Sequence, residues 1–271
     1  MNRSSVTFIV LFALAGGWSI ARYSTPGVAA QAGAGQAAAS ATAPRGAAAP
    51  YAGSPYLGEL RNKVLYGEIW ERPQLSKRNR SMITIAVLQA QSRDELKGHI
   101  ERGLTNGLTA EEISEIILHT TFYAGWPTGA TASRLAAEVF EQKHLTLAKP
   151  AEYRAAPKPE KRAYTSGAYG AVPRLGELRD SLLYGDVWER PQLSKHDRSL
   201  ITCVVAQALG ATNELRGHIN RALDQNKVTP QELSEAILHT AFYAGWPAAV
   251  NAGGLAADAF KERGVALDKL E

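Results

Sequence analysis

The chain has 271 residues, of which 45% are hydrophobic and 21% charged, so a disordered chain is excluded and there is room for one large or two ordinary domains. The formal net charge is +4, and removal of residues 1–30, which hold Arg3 and Arg22 and no acid, lowers it to +2, so we expect no nucleic-acid partner. A single cysteine, Cys203, excludes an internal disulfide and a CxxC dithiol.

The first 30 residues have the pattern of a secretory signal peptide. Arg3 precedes an apolar run over residues 6–21, and the small residues Val28 and Ala30 are placed like a cleavage site. An uncleaved membrane anchor is the alternative, although the run is short for a span of about 20 residues. We therefore expect a periplasmic or secreted protein, which contacts the membrane only if this segment is not cleaved. Residues 31–54 are rich in Ala, Gly and Pro and predict a flexible linker.

The remainder of the chain is a tandem duplication. "GELRNKVLYGEIWERPQLSK" from Gly58 matches "GELRDSLLYGDVWERPQLSK" from Gly176, and "ILHTTFYAGWP" from Ile117 matches "ILHTAFYAGWP" from Ile237. A period of about 120 residues is too long for a solenoid unit, so each copy is expected to be a domain or half of a pseudo-symmetric one. We assign the copies to residues 55–147 and 173–271, joined by a linker over 148–172.

The apolar spacing within each copy is helical. Apolar residues recur at intervals of three and four, and no strand-like alternation is present. Ser76 and Ser92 are expected to begin helices, and Thr109 with Glu112 forms a capping box that the second copy repeats. The sequence predicts an all-α fold with about five helices in each copy.

A carboxylate and an imidazole stand four residues apart twice, as Glu95 and His99 in "ELKGH" and as Glu214 and His218 in "ELRGH". Positions i and i+4 share one helix face. A neighbouring carboxylate can select the imidazole tautomer and raise its pKa, which suits proton transfer near neutral pH. These four residues are therefore the candidate catalytic groups.

Two structural explanations compete with catalysis. Ser92 and Glu95 have the spacing of a capping box, although Ala211 replaces Ser92 in the second copy, where Thr212 or Asn213 would have to cap instead. Alternatively, i,i+4 pairs of this type occur on solvated helix faces and stabilise a helix by only about 0.2–0.5 kcal/mol.

Other polar residues are candidates for substrate binding. Arg80 and Arg198 lie near the start of the second helix of each copy, where a guanidinium can bind a carboxylate with two hydrogen bonds or serve a structural role. His119 and His239 stand among apolar residues, a position more typical of a hydrogen-bonded core histidine.

The remaining candidates are weaker. Trp126 and Trp246 in "YAGWP" are expected to pack at a helix turn or to line a pocket. A metal site built from Glu95, His99 and His119 would require close helices, and no HExxH spacing supports it, so we expect no metal. Cys203 is expected to be a buried core thiol.

These stretches resemble the carboxymuconolactone decarboxylase family, within the larger group that includes alkylhydroperoxidase D. The resemblance is carried by "WERPQLSKRNRSMITIAVLQAQ", by "DELKGHIERGLTNGLTAEEISEIILHTTFYAGWPTGATA" and by their second copies. It implies two tandem alkylhydroperoxidase D-like helical domains and assembly into a homo-oligomer. In the peroxidase branch a CxxC dithiol precedes the histidine, whereas Ser92 and Glu95 occupy those two positions here, so peroxidase activity is disfavoured.

The decarboxylase branch of the family implies a function without a cofactor. By analogy His99 or His218 delivers a proton to a small lactone or keto acid that loses CO2. Glu95 or Glu214 then orients and tunes the imidazole.

Further substrate-binding candidates on this analogy are Arg80, Arg198, His119, His239, Trp126 and Trp246. The alternatives are a non-enzymatic oligomeric scaffold and a peroxidase that uses Cys203 alone. The export signal sets this chain apart from an intracellular catabolic enzyme and leaves the substrate open.

Overall fold

The computed structural model describes residues 51–149, 152–153 and 164–270. Within these residues every regular element is a helix, and strands are absent, which confirms the predicted all-α fold. The predicted signal peptide, residues 31–50 of the first predicted linker and residues 150–151 and 154–163 of the second lie outside the described residues. No helix in the described part of the chain is long and apolar enough to cross a membrane.

The first copy contains five α-helices. They are α1 (Pro55–Leu60), α2 (Lys77–Ala90), α3 (Leu96–Thr105), α4 (Ala110–Ala124) and α5 (Trp126–Gln142). A π-helical turn (Arg61–Tyr66) continues α1, and a 3-10 turn (Ile69–Glu71) precedes α2.

The second copy repeats this order. A short helix, α6 (Gly167–Ala171), lies inside the predicted linker and is followed by α7 (Pro173–Leu178), α8 (Lys195–Ala208), α9 (Thr212–Asp224), α10 (Pro230–Ala244) and α11 (Trp246–Glu262). A π-helical turn (Arg179–Tyr184) and a 3-10 turn (Val187–Glu189) again lie between the first and second helices of the copy. The chain continues into a 3-10 turn at Leu267–Lys269.

A glycine follows each π-helical turn for a steric reason. A Cβ on Gly67 would lie 2.5 Å from the backbone oxygen of Lys63, and one on Gly185 would lie 2.6 Å from that of Ser181. Such an approach is far inside van der Waals contact, so only glycine fits there. The turn also determines where Arg61 and Tyr66, at its two ends, are placed.

Two of the predicted helix starts are confirmed. The Ser76 hydroxyl accepts a hydrogen bond from the backbone N–H of Asn79 at 3.1 Å. The capping box of Thr109 and Glu112 has both of its reciprocal hydrogen bonds, and the second copy repeats it.

The expected cap at Ser92 is wrong. Ser92 has φ +54° and closes the end of α2, where its N–H donates to Gln89 and the next N–H donates to Leu88. Helix α3 therefore begins only at Leu96, with Glu95 in the N-cap position and no side-chain cap.

The second copy departs from its expected cap as well. Gly210, at φ +68°, takes the left-handed position that Ser92 has in the first copy. Helix α9 begins at Thr212 with Ala211 as the N-cap residue and no side-chain cap, so neither Thr212 nor Asn213 caps this helix.

Both copies share one hydrophobic core. Helix α2 is buried along its whole length from Arg80 to Ala90, and α8 is buried from Asp197 to Gln207. A single cluster of buried apolar side chains extends from Leu75 in the first copy to Phe260 in the second. A helix buried on every side must pack against both copies, so each copy is half of one pseudo-symmetric unit.

A buried ion pair joins the two copies across this core. Arg80 on α2 is fully buried, and its guanidinium donates to the Glu235 carboxylate of α10 at 2.8 Å. The Arg72 Nε–H donates to the same carboxylate at 2.9 Å. In the mirrored arrangement the buried Arg198 and Arg190 both bind Glu115, at 2.9 Å each.

Removal of one partner of this pair should destabilise the fold strongly. We expect Glu235→Gln to lower the free energy of unfolding by about 3–5 kcal/mol, because Arg80 would remain buried without a counter-charge. Glu115→Gln should have a similar effect through Arg198. Urea denaturation followed by circular dichroism measures both.

The matched control is Glu59→Gln, whose ion pair with Lys63 is exposed, and its effect should stay below about 1 kcal/mol. A loss for Glu235→Gln no larger than that of this control would contradict the assignment.

Candidate active site

Each buried arginine also contacts a buried histidine from the copy that supplies its glutamate. The Thr84 hydroxyl donates to the Arg80 carbonyl at 2.7 Å, so it accepts from His239 Nε2–H at 2.9 Å. His239 Nδ1 is then an acceptor and faces the Arg80 guanidinium at 3.3 Å. This pattern selects the neutral imidazole, in agreement with the lowered pKa of His239, which burial and then Arg80 cause.

His119 has the same environment in the mirrored position. Its Nε2 lies 2.9 Å from the Thr202 hydroxyl, and its Nδ1 lies 3.4 Å from Arg198. Burial, followed by the Arg198 charge, lowers its pKa to about 3. Both histidines were predicted as possible substrate ligands, yet both are fully buried and bonded to the opposite copy.

An aromatic cluster built from both copies lies beside each of these histidines. His99 of α3 stacks on Trp70 with the ring centroids 6.2 Å apart, and it meets the edge of Tyr243 on α10 at 5.5 Å. The Trp70 indole N–H donates to the Tyr243 hydroxyl at 2.9 Å. His239 meets Trp70 edge-on at 5.0 Å, which connects the cluster to the buried ion pair.

The second cluster has the same composition with the copies exchanged. His218 of α9 meets the edge of Tyr123 at 5.6 Å, and Trp188 donates its indole N–H to the Tyr123 hydroxyl at 2.9 Å. Each candidate histidine therefore depends on a tyrosine from the other copy.

His99 and His218 are neutral at physiological pH. The pKa of His99 is lowered to about 4 by burial and by the positive charges of Arg102 and Arg61. That of His218 is also lowered to about 4, by burial and by Arg221, with Glu214 opposing this shift. The net pKa of both imidazoles therefore lies below the ordinary value, although Glu214 raises that of His218 as the sequence predicted, because loss of solvent and the nearby arginines outweigh the carboxylate.

The glutamates predicted to orient these imidazoles are exposed. Among the described side chains, neither Glu95 nor Glu214 forms a hydrogen bond with the histidine four residues later. His99 Nδ1 is buried without a hydrogen-bond partner in the described part of the protein. The i,i+4 spacing places the groups on one side of the helix, but only the imidazole turns into the protein.

The tyrosines of the clusters are held in their protonated form. Burial is the largest cause of the raised pKa of Tyr243, and the neighbouring Tyr66 adds to it. Tyr123 is raised in the same way by burial and Tyr184. Each tyrosine accepts its tryptophan N–H and retains its hydroxyl proton, with Thr84 beside Tyr243 and Thr202 beside Tyr123.

A positively charged cleft of about 280 Å³ opens over the first cluster. Its lining consists of Arg61, Tyr66, Trp70, Arg102, Asn106 and the ion pair of Glu71 with Lys77. His99 and Tyr243 contact Trp70 but are not among the lining residues. Both guanidinium carbons lie 4.6 Å from the centre of the Tyr66 ring, and that of Arg102 lies 5.5 Å from Trp70. Since the same two arginines lower the pKa of His99, the cleft and the imidazole share one electrostatic environment.

Other predicted site residues lie elsewhere. Arg80 and Arg198 are buried and paired with protein carboxylates, so neither of these two guanidiniums is available to bind a substrate. Trp126 and Trp246 are 71% and 61% exposed. Trp126 lines a separate, largely apolar cleft of about 460 Å³ between α4 and α5.

The thiol and metal hypotheses find no support at this site. Cys203 is buried, and burial raises the pKa of its thiol to about 12, so thiolate is scarce at neutral pH. Across residues 51–149, 152–153 and 164–270, no three His, Cys, Asp or Glu side chains are grouped so as to hold a metal ion.

Sequence reasoning missed several members of the clusters. They are Tyr66, Trp70, Arg102 and Tyr243 with their counterparts Tyr184, Trp188, Arg221 and Tyr123. The signal was present, since each of these residues is identical in the two copies. A tyrosine four residues after His119 or His239 looks like packing until the opposite copy is placed against it.

Comparison with known proteins identifies the family. Residues 55–138 and 173–258 each match the Carboxymuconolactone decarboxylase family, so the chain belongs to it and contains two copies of its unit. This confirms the resemblance inferred from the sequence.

Two relatives are similar to parts of the chain. A 4-carboxymuconolactone decarboxylase from Acinetobacter baylyi is 48% identical over 87 residues, which cover 32% of this chain and 64% of the relative. A nitrosuccinic acid decarboxylase from Metarhizium robertsii is 35% identical over 71 residues, which cover 26% of this chain and 50% of the relative. The matched segments thus span less than two thirds of either relative.

The lowered histidine pKa values predict a pH dependence of stability. A base whose pKa is lower in the folded state than its ordinary 6.5 stabilises the fold above pH 6.5, and this contribution is lost as the pH falls towards 4. Each of His99 and His218 should contribute about 3 kcal/mol to this change. We expect the double variant His99→Gln/His218→Gln to show a shallower fall in unfolding free energy between pH 6.5 and 4.

The slope is measured by urea denaturation at several pH values. His119 and His239 keep part of the slope in the double variant, because their pKa values are lowered as well. An unchanged slope would mean that His99 and His218 are not neutral in the folded protein.

Proposed function

We propose that this protein is a carboxy-lyase of the carboxymuconolactone decarboxylase type that acts on a small lactone or keto acid without a cofactor. The observation that carries the proposal is the neutral His99, which lies between an aromatic pair and two arginines beside a cleft of small-molecule size. The names of both relatives support the reaction class, since each describes the loss of a carboxyl group from an acid.

Substrate binding in this proposal relies on Arg102 and Arg61. Their guanidiniums lie over the Tyr66 ring at the same distance and face the cleft. A guanidinium binds a carboxylate through two parallel hydrogen bonds. Arg102 and Arg61 therefore replace Arg80, whose charge Glu235 already neutralises, as the groups that hold substrate carboxylate.

The chemical step breaks the bond between a substrate carbon and its carboxylate. The electron pair of that bond moves into the conjugated carbonyl of the substrate and forms an enolate, and CO2 leaves. The protonated Tyr243 is a suitable hydrogen-bond donor to the enolate oxygen. A proton then adds to carbon and restores the neutral product.

His99 supplies that proton in the proposed mechanism. Two of the causes that lower its pKa are the charges of Arg102 and Arg61. A bound substrate carboxylate neutralises these charges and shifts the imidazole towards its protonated form. After delivering the proton to carbon, His99 recovers one from solvent.

The second site repeats the arrangement with His218, Tyr123 and Arg221. Glu214 favours the protonated form of His218, and the sequence-based hypothesis gives Glu95 the same role for His99. Export and homo-oligomerisation remain sequence-based predictions that accompany this proposal.

The proposal is tested by screening the purified protein against 4-carboxymuconolactone, nitrosuccinic acid and related lactone and keto acids, with CO2 release as the readout. We expect His99→Gln/His218→Gln to lower turnover of an accepted substrate by at least about 100-fold, the usual contribution of a general acid. Helicity by circular dichroism should be unchanged.

The matched control is Glu95→Gln/Glu214→Gln. Because both carboxylates are exposed and unbonded to the histidines, we expect this variant to retain turnover within about threefold, less than the 100-fold of a general acid. Equal losses in the two double variants would restore the glutamates to the mechanism. Undiminished turnover in the histidine variant would remove His99 and His218 from it, and absence of CO2 release from every acid would favour the scaffold alternative.

A further inference from the structure

The two aromatic clusters share their frame but differ in the position of one arginine. Arg61 begins the π-helical turn of the first copy, and Arg179 begins that of the second. The residue that follows is Asn62 in the first copy and Asp180 in the second. This neutral-to-acidic exchange lies at the edge of the candidate active sites.

In the first copy the arginine is directed to the cleft. Arg61 donates to the neutral Asn62 side chain at 2.9 Å, and its guanidinium lies nearer to the Tyr66 ring, at 4.6 Å from the ring centre, than to the Tyr51 ring, at 5.7 Å. It lines the cleft together with Arg102. Both guanidiniums therefore line one cleft, in which the carboxylate of Glu71 is paired with Lys77.

In the second copy the arginine is held away from that position. Arg179 forms an ion pair with Asp180 at 2.7 Å. Its guanidinium lies 4.4 Å from the centre of the Tyr169 ring and 5.5 Å from that of Tyr164. Within the described residues, the Arg179 guanidinium contacts these two rings and not that of Tyr184. The guanidinium carbon of Arg221 lies 4.5 Å from the centre of the Tyr184 ring instead.

Tyr164 secures this alternative position. Its hydroxyl donates to the second oxygen of Asp180, and its ring is seated against Gly176 on α7, where an added Cβ would lie 2.6 Å from ring carbons. The second copy thus has both the acid and the tyrosine that retain its arginine.

The electrostatic environments of the two histidines differ in the same sense. Arg102 and Arg61 both act on His99. Arg221 is the cation that acts on His218, and Glu214 opposes it. The first site therefore has more uncompensated positive charge than the second.

We propose that the two sites of this chain are not equivalent, and that the Asp180 ion pair makes the second site bind dicarboxylates more weakly than the first. The proposal rests on the function proposed above and assigns Asp180 as a specificity-determining residue that acts through Arg179. A dicarboxylate can engage two guanidiniums at the first site but only one at the second. Loss of one charge-assisted interaction corresponds to about a tenfold difference in affinity.

Succinate is a suitable probe, because its binding can be measured without turnover. The indole N–H of Trp70 and that of Trp188 occupy the two sites and are resolved by nitrogen-15 NMR, with Trp70→Phe and Trp188→Phe to assign them. We expect the Trp70 resonance to shift at about tenfold lower succinate concentration than the Trp188 resonance, which corresponds to one lost interaction. Equal midpoints, or no shift of either resonance, would overturn the proposal.

Exchange of the two differing residues tests the cause. Asp180→Asn should lower the Trp188 midpoint towards that of Trp70, and Asn62→Asp should raise the Trp70 midpoint. Both positions are exposed, so neither variant should affect folding. Asp268→Asn, outside both sites, controls for net charge, and a ratio that Asp180→Asn leaves unchanged would exclude Asp180 as the determinant.

Butyrate has the same number of carbons and a single carboxylate. It should distinguish the two sites less than succinate does, because Arg102 and Arg221 provide one guanidinium at each site. An undiminished ratio would overturn the explanation by two arginines.

These outcomes are separable from those of the function test. Succinate selectivity without CO2 release from any acid would reject the decarboxylase proposal and leave the inequivalence standing. CO2 release with equal succinate midpoints would do the reverse.

Discussion

The structure depends on two buried ion pairs that cross between the copies. Arg80 binds Glu235, Arg198 binds Glu115, and all four side chains are almost completely removed from water. A buried charge requires a counter-charge, and here each copy supplies the counter-charge of the other. Separation of the copies would leave each arginine and each glutamate without its partner, so the duplicated chain folds as one pseudo-symmetric unit.

The position of the active-site candidates follows from these pairs. The same arginines orient His239 and His119, which pack edge-on against Trp70 and Trp188. Those tryptophans in turn donate to Tyr243 and Tyr123 of the opposite copy, and these tyrosines contact His99 and His218. These contacts bury His99 and His218 between the two copies. Burial and arginine charge, rather than the nearby glutamates, therefore determine their protonation state.

Because both copies lie in one chain, the two sites can differ in sequence, which is not possible when identical subunits form both sites. The copies differ at corresponding surface positions, as Asn62 and Asp180 do, while the buried aromatic residues that surround each site stay the same. Such a difference changes one site without changing the other. The differences that we find lie on the π-helical turns and the segment before α7, at the surface. The ion pairs and aromatic clusters are retained in both copies, because a change there would cost stability as well as activity.

The helical class, the duplication and the family could be predicted from the sequence, because they depend on residue spacing. The caps at Ser76, at Thr109 and at its second-copy counterpart Thr229 could be predicted as well, because they depend on contacts within a few residues. The sequence also indicated His99 and His218 as candidate catalytic residues. It assigned Arg80 to a substrate and Glu95 to the imidazole, since spacing along one helix cannot tell which side chain turns inward or which partner comes from another helix. The packing of the two copies brings Glu235, more than 150 residues away, to Arg80 and places Tyr243 against His99. Neither contact could be predicted from spacing along the chain. The physical reason is that burial, which sets both the ion pairing and the histidine pKa values, arises when the two copies pack together.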